Sequence, residues 1–444
     1  MLFSNKDLKK LIIPLIIEQT LAVLVGLIDV LMVSVLGEAA MSGVSLVNTI
    51  NILLIVTFSA LATGGAVVAS QYLGHKNHTA CNIVANQLML MVIVVSVTIM
   101  GVALLFNKPI LNLLIGQVDA DVMGHAKTYF IITALSFPFL GIYNGGAALF
   151  RAMGNSSISM KVSLIMNAIN IIGNAVLIYG LKMGVEGIAI PTLVSRFVAA
   201  FIILILIRNQ DNLIHIDKYF RFGFHKDTMK KILRIGVPNG LESAMFQLGK
   251  IIVQVFISGL PTAHIAAHSI VTTVVELPCI PGQALSLAMV TVVGQCVGAN
   301  DYESAKYNVR KLMKIAYGAM ISTNLVCLIF AKNIVGIFNN VSAEATNLAV
   351  LIIIMHSFAA MTIWPASFVF PSALRAAGDV KHPMIVSILS MWFCRILLSF
   401  ILVEVIKVGL VGVWISMFVD WSVRVVFFII RYRSEKWMLY KLTG

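Results

Sequence analysis

Charge is what this chain has least of. Only 11% of its 444 residues are Asp, Glu, Lys or Arg, while 59% are apolar; a soluble domain carries roughly 25% charged residues. So few charges cannot dress a water-facing surface, and no single core absorbs so much apolar area, whereas a lipid bilayer does. Cysteine is scarce too. Cys81, Cys279, Cys296, Cys327 and Cys394 lie within or beside apolar runs without paired spacing. That excludes a disulfide framework and a zinc site and leaves small packing residues. A phosphate-binding loop is missing: Lys250 follows Gly249, but no glycine stands five residues before Gly249. The chain therefore has no ATP site of its own and no cofactor motif, and it does not read as an enzyme. A cleavable leader is not expected either, because the apolar run from Leu11 is too long and lacks a small-residue cleavage site.

What the chain has is a duplication. Pro14 and Glu18 fall on Pro238 and Glu242, Gln71 and Gly74 on Gln295 and Gly298, and Arg151 and Gly154 on Arg375 and Gly378, each pair 224 apart. Apolar stretches long enough to cross about 30 Å of hydrocarbon recur at 11–35, 44–70, 85–106, 125–149, 157–181 and 185–208. Six more follow at 233–259, 264–294, 312–331, 344–372, 382–406 and 409–431. The expected fold is all-α and membrane-spanning: twelve helices in two six-helix bundles, 1–208 and 233–444, joined by a polar cytoplasmic linker at 209–232. An even number of spans per half makes the repeat parallel, and such duplicated bundles are the architecture of transporters.

The net charge of +13 invites a nucleic-acid reading, which its placement excludes. Lys and Arg concentrate in alternate short loops (Lys6, Lys9, Lys10, Lys76, the linker, Lys306, Arg310), while the opposite loops hold few, diluted by Glu38, Asp119 and Asp121. The basic side is cytoplasmic, so both termini lie inside.

An ionised side chain inside a span costs about 2.5–3.5 kcal/mol on insertion scales, so intramembrane acids are functional candidates. Asp29 stands alone between GLI and VLMV, about 27 Å along its helix from Leu11. Asn170 and Asn174 share one face of the fifth helix, being four apart, and lie about 18 and 24 Å along it; Thr192 on the sixth reaches about 20 Å. A carboxylate, two amides and a hydroxyl at one depth make a hard-oxygen set suited to an alkali or alkaline-earth cation. The 224-residue repeat puts Val253 opposite Asp29, so this set was not duplicated.

The second half has its own polar residues. Glu242 repeats Glu18 at the same distance after a proline, which suggests a shared fold role near the cytoplasmic entrance, and Glu276 precedes Pro278 and Pro281, where a broken helix is expected to expose carbonyls. Glu276, with Glu242, is the candidate for attracting a cationic substrate. Asp420 and Arg424, four apart, read as a structural pair, and His264 and His268 as a hydrogen-bonded pair without a third ligand. Pro14, Pro278 and Pro281 are the expected helix-bending positions.

Several strings resemble the multidrug and toxic compound extrusion (MATE) family: IPLIIEQTLAVLVGLIDVLMVSVLG (13–37), ASQYLG (69–74), VGQCVG (293–298), LFRAMGN (149–155), LRAAGD (374–379) and AAHSI (266–270). The likeness covers essentially the whole chain. It implies an antiporter in the plasma membrane, monomeric, exporting organic and mainly cationic compounds in exchange for Na⁺ or H⁺. It also implies a V-shaped central cavity and a role in antibiotic resistance. In the family, positions matching Asp29, Asn170, Asn174 and Thr192 are tied to cation coupling, so Na⁺ is a possible ligand of that set. This chain has Asn174 where one branch has an aspartate, and no acid in 363–378, where the NorM-type branch has one. The mechanism expected is competition: Asp29 holds Na⁺ or takes a proton, helix one responds at Pro14, and the drug leaves. The alternative within the wider superfamily is a lipid-linked saccharide flippase or a specific metabolite exporter.

Overall fold

Within hydrocarbon every backbone N–H and C=O must be satisfied inside the protein, and a helix does this locally. The computed structural model describes residues 3–116, 119–216, 223–338 and 341–442, and all regular structure among them is helical. Lys218 and Arg221 of the expected linker lie outside the described residues. The spans are α1 (Asn5–Ser34), α2 (Glu38–Gly74), α3 (His78–Leu105), α4, α5 (Ser156–Gly180) and α6 (Glu186–Ile207). They continue as α7 (Lys226–Ser258), α8 (Thr262–Gly298), α9 (Tyr302–Ile329), α10 (Ala343–Thr362), α11 (Lys381–Val405) and α12 (Leu410–Arg433). Eleven are single helices; α4 is the pair Ala120–Leu135 and Phe137–Ala152, bent by 46° at Ser136.

The repeat is visible in the backbone as well as in the letters. Both α2 and α8 are 37 residues long and end at Gly74 and Gly298. The side chains of Asn77 and Asp301 then cap α3 and α9 on the N–H of Ala80 (3.0 Å) and Ser304 (2.9 Å). Between end and cap, Lys76 and Asn300 both take φ +58°. The later turns at Gly154 (φ +78°) and Gly378 (φ +94°) also match. At Gly378 a Cβ would collide with the Tyr440 carbonyl oxygen, so glycine is required there for space as well as for conformation.

The chain forms two compact units, Ser4–Gly240 and Leu241–Gly444. The division falls inside α7 because its first turns pack on α2: a Cβ on Gly64 would meet the Ile232 carbonyl at 2.5 Å. The segment before α7 is tied to α3, with Gln87 donating to the Gly223 carbonyl (2.6 Å) and accepting from the His225 N–H (3.1 Å). Helix α7 starts at Lys226, so the end of the polar stretch expected as linker is already helical.

Pro14, Pro278 and Pro281 do not break their spans, whereas Pro138 stands in the first turn after the bend of α4. Pro14 lies inside an uninterrupted α1, and the Lys10 carbonyl that its missing N–H leaves free accepts from Ser156 Oγ on α5 at 3.2 Å. The same hydroxyl donates more closely to the Leu11 carbonyl, at 2.6 Å, so its one proton is shared between the two. Pro278 and Pro281, expected to interrupt their helix, instead sit within a continuous α8, and Thr323 Oγ1 on α9 donates to the Pro278 carbonyl at 2.8 Å.

Candidate cation site in the N-terminal bundle

Helix α5 brings Asn170 and Asn174 to one face, and α1 and α6 meet that face from either side. The result is one hydrogen-bonded chain. Asn174 Nδ2 donates to Asp29 Oδ1 at 2.8 Å and to Asn170 Oδ1 at 3.4 Å. Asn170 Nδ2 donates to Thr192 Oγ1 at 3.1 Å, and the Thr192 hydroxyl donates to the Ile188 carbonyl at 2.9 Å. All four residues singled out in the sequence therefore converge. Asn170, Asn174 and Thr192 are buried, and Asp29 is half-buried at the open end of the row.

One atom in this row is unmet. Asn174 is fully buried, yet its Oδ1 has no hydrogen-bond partner among the described residues. An orphaned buried carbonyl costs about 1–3 kcal/mol, and this one stands beside a carboxylate. A bound cation removes that penalty, as does a proton carried by Asp29. The donors are all hard oxygens, which suits Na⁺. Among the described residues no group of three or more His, Cys, Asp or Glu side chains gathers to hold a metal. Directly after Asn174 and Ala175 the helix widens into a π-turn at Val176–Gly180, a distortion frequent at functional sites.

Two neighbours were not singled out for this site in the sequence. Arg196 and Tyr129 both lie within electrostatic range of Asp29. Arg196 Nη1 donates to Ser136 Oγ at 2.7 Å, at the bend of α4, and Tyr129 OH donates to Asn48 Oδ1 at 3.2 Å. The spacing held a clue, since Arg196 is four residues from Thr192 and shares its face.

The second bundle lacks this row: the positions 224 further on are Val253, Cys394, Leu398 and Ser416. Its acids are engaged differently. Glu242, expected along the substrate path, is ion-paired with Arg375 at 2.7 Å, just as Glu18 is with Arg151 at 3.2 Å. Glu276 is exposed on α8. Asp420 is fully buried and held by Arg424 through Nε (2.9 Å) and Nη2 (3.2 Å). The two histidines are not a pair. His264 Nδ1 accepts from the Leu410 N–H at 3.3 Å, and His268 packs 5.9 Å from the Trp414 ring. Residues on α12 offer each ring a better partner than the other histidine does.

The sequence profile of the MatE family matches residues 14–176 and again 238–401, once per repeat. This chain belongs to the MATE transporter family. The uncharacterized transporter YisQ of Bacillus subtilis is 28% identical over 96% of the MATE chain described here and 93% of its own length. The probable multidrug resistance protein NorM of Thermotoga maritima is 26% identical over 98% and 93%. Among solved structures, a MATE protein in complex with MaL6 superposes with a TM-score of 0.91 at 20% identity, covering 97% of this chain and 96% of that one. A MOP superfamily transporter from Pyrococcus furiosus gives 0.90 at 20% identity, with the same coverage. The MATE fold and a multi-pass membrane placement follow.

Proposed function

We propose that this MATE transporter is a secondary active multidrug antiporter of the plasma membrane, with both termini cytoplasmic. It exports organic, mainly cationic compounds in exchange for Na⁺ or H⁺. The observation that carries this reading is the Asp29–Asn174 contact at 2.8 Å, beside an Asn174 carbonyl oxygen with no partner among the described residues. Relatives named as multidrug resistance and multidrug export proteins support the substrate class.

The chemistry is competition for one carboxylate. Na⁺ taken by ionised Asp29 completes its shell from Asn174 Oδ1, Asn170 Oδ1 and Thr192 Oγ1. A proton on Asp29 instead turns the carboxyl into a donor for the Asn174 carbonyl. Either event rewrites the contact between α1 and α5, whose other fastenings are Ser156 on the Lys10 and Leu11 carbonyls and Ser159 on Glu18 at 2.7 Å. Ion occupancy is thereby converted into a change in how α1 is held, which is what coupling requires.

The test is efflux of a fluorescent organic cation under an imposed Na⁺ or pH gradient, with wild type and Asp29→Asn at equal membrane abundance. The variant is expected to lose gradient-driven efflux. Full efflux in Asp29→Asn overturns the assignment.

A further inference from the structure

The C-terminal unit carries charged side chains that the cation site does not use, and they converge on Phe246 of α7. The Arg395 and Arg424 guanidinium carbons lie 5.2 and 5.6 Å from the centre of its ring, and Lys250 Nζ lies 5.9 Å away. These are cation–π distances. The negative charge available is smaller. Asp420 is shared between Arg424 and Arg395, the latter placing Nη2 3.0 Å from Oδ2 without an aligned hydrogen bond. Glu276 lies within electrostatic range of Lys250. Three cations thus meet two carboxylates, leaving one positive charge uncompensated.

The unmet hydrogen-bonding groups at this cluster are donors. Arg395 is only 5% exposed, yet its Nε has no partner among the described residues. Trp421 is 4% exposed, stacks edge-on to Phe368 beside Arg424, and its indole N–H is likewise unmet there. Arg395 sits in a π-helical stretch of α11, Met391–Leu397. It stands about 21 Å along α11 from Lys381, and Arg424 about 21 Å along α12 from Leu410, which is mid-depth. Uncompensated cations at that depth face a polar cavity or a ligand rather than lipid. Lys250 and Glu276 are the exposed members, at the mouth of the cluster.

We propose that Lys250, Arg395 and Arg424 form a binding subsite for a carboxylate or phosphate group of the transported compound. This rests on the export reading and refines it: the compounds carried include amphoteric ones, whose amine faces Glu276 while the acid neutralises the cluster. Phe246 and Phe368, packed edge to face at 83°, supply apolar surface beside the charges.

The experiment uses full-length protein in nanodiscs of neutral phospholipid. Two probes are titrated: a fluorescent xanthene amine bearing a free carboxylate, and the same dye as its methyl ester. Wild type is expected to bind the acid at least about ten-fold more tightly than the ester, a change of about 1.4 kcal/mol. In Lys250→Met the ratio is expected to fall towards one, and in Lys250→Glu to invert. A wild-type ratio of one, or a ratio unchanged in both variants, overturns the subsite. A polyprenyl pyrophosphate in the bilayer distinguishes the source of the anion. Displacement of the acid probe by that lipid, abolished in Lys250→Met, assigns the subsite to a lipid-borne phosphate, and no displacement assigns it to a soluble compound. Gradient-driven efflux of the ester separates the two readings. Efflux with a ratio of one sinks the subsite alone, and a sustained ratio without efflux sinks the export reading alone.

Discussion

Arg375 Nη2 lies 2.7 Å from Glu242 Oε1, and 224 residues earlier Arg151 Nη1 lies 3.2 Å from Glu18 Oε1. In both pairs the partners are 133 residues apart. Each clamp fastens the first helix of its half to the last helical turn before the Gly154 or Gly378 turn. Duplication has thus preserved a contact, while the cation row on the same helices was kept in one half only.

These clamps are structural, and the cost of breaking them follows from burial. Glu18 and Glu242 side chains are 8% and 11% exposed. Removing one partner strands a largely buried charge, a loss of about 3–5 kcal/mol when burial is complete. Arg375→Gln and Arg151→Gln should each lower thermal stability in detergent by several degrees. The doubles Glu242→Gln/Arg375→Gln and Glu18→Gln/Arg151→Gln should recover part of it. A double no more stable than its single would show that the pair is not a unit.

Ser156 compensates for Pro14, so the two should be coupled. Ser156→Ala leaves the Lys10 carbonyl without its donor and is expected to destabilise by about 1–3 kcal/mol. In a Pro14→Ala background the restored N–H takes up that carbonyl, and the same substitution should then cost less. Additive losses would refute the compensation.

Asn174 anchors Asp29 and supplies the orphaned oxygen. Asn174→Ala should weaken the apparent affinity for the coupling ion by at least about ten-fold, or 1.4 kcal/mol, with normal membrane insertion. Ion titration of efflux rates reads this. An unchanged half-saturation would move the ion away from Asn174.

The caps of α3 and α9 differ only in charge. Hydrogen bonding to Ser304 holds the Asp301 carboxyl below its ordinary value of 3.8. Its folded value being the lower, its contribution is present above about pH 3.8 and is lost as pH falls through the folded value. Asp301→Ala should cost about 0.5–2 kcal/mol at neutral pH. Asp301→Asn, which copies Asn77, should keep the cap and remove its acid sensitivity. Thermal melts across pH would show whether the acid limb belongs to this residue.

Much of the architecture is legible from local chemistry. Span length and the 224-residue offset are counted along the chain, and α2 and α8 begin and end where the repeat requires. The bend of α4 at Ser136 was missed because 125–149 reads as one apolar run, although Pro138, in the first turn of the restarted helix, carries a local signal for it. The cation row was found by depth along known helices. Arg196 shares a helix face with Thr192, four residues before it, a local clue to the row; nothing local to Tyr129 points towards Asp29.

Covalent order and hydrophobic length by themselves determined that this protein spans a membrane as two related bundles, and that Asp29 has no counterpart in the second. Both are properties of residues near one another in sequence, set by solvent transfer and by a 1.5 Å rise per residue. Which charges meet across different helices was decided by tertiary structure alone, whereas the Asp420–Arg424 pair, four apart, is local. Glu242 could have faced a substrate until Arg375 was seen against it, and Phe246 is an unremarkable aromatic until three cations from three helices surround it. Such encounters depend on how helices rotate and pack about their axes, which side-chain shape across the whole bundle sets and no stretch of sequence encodes alone.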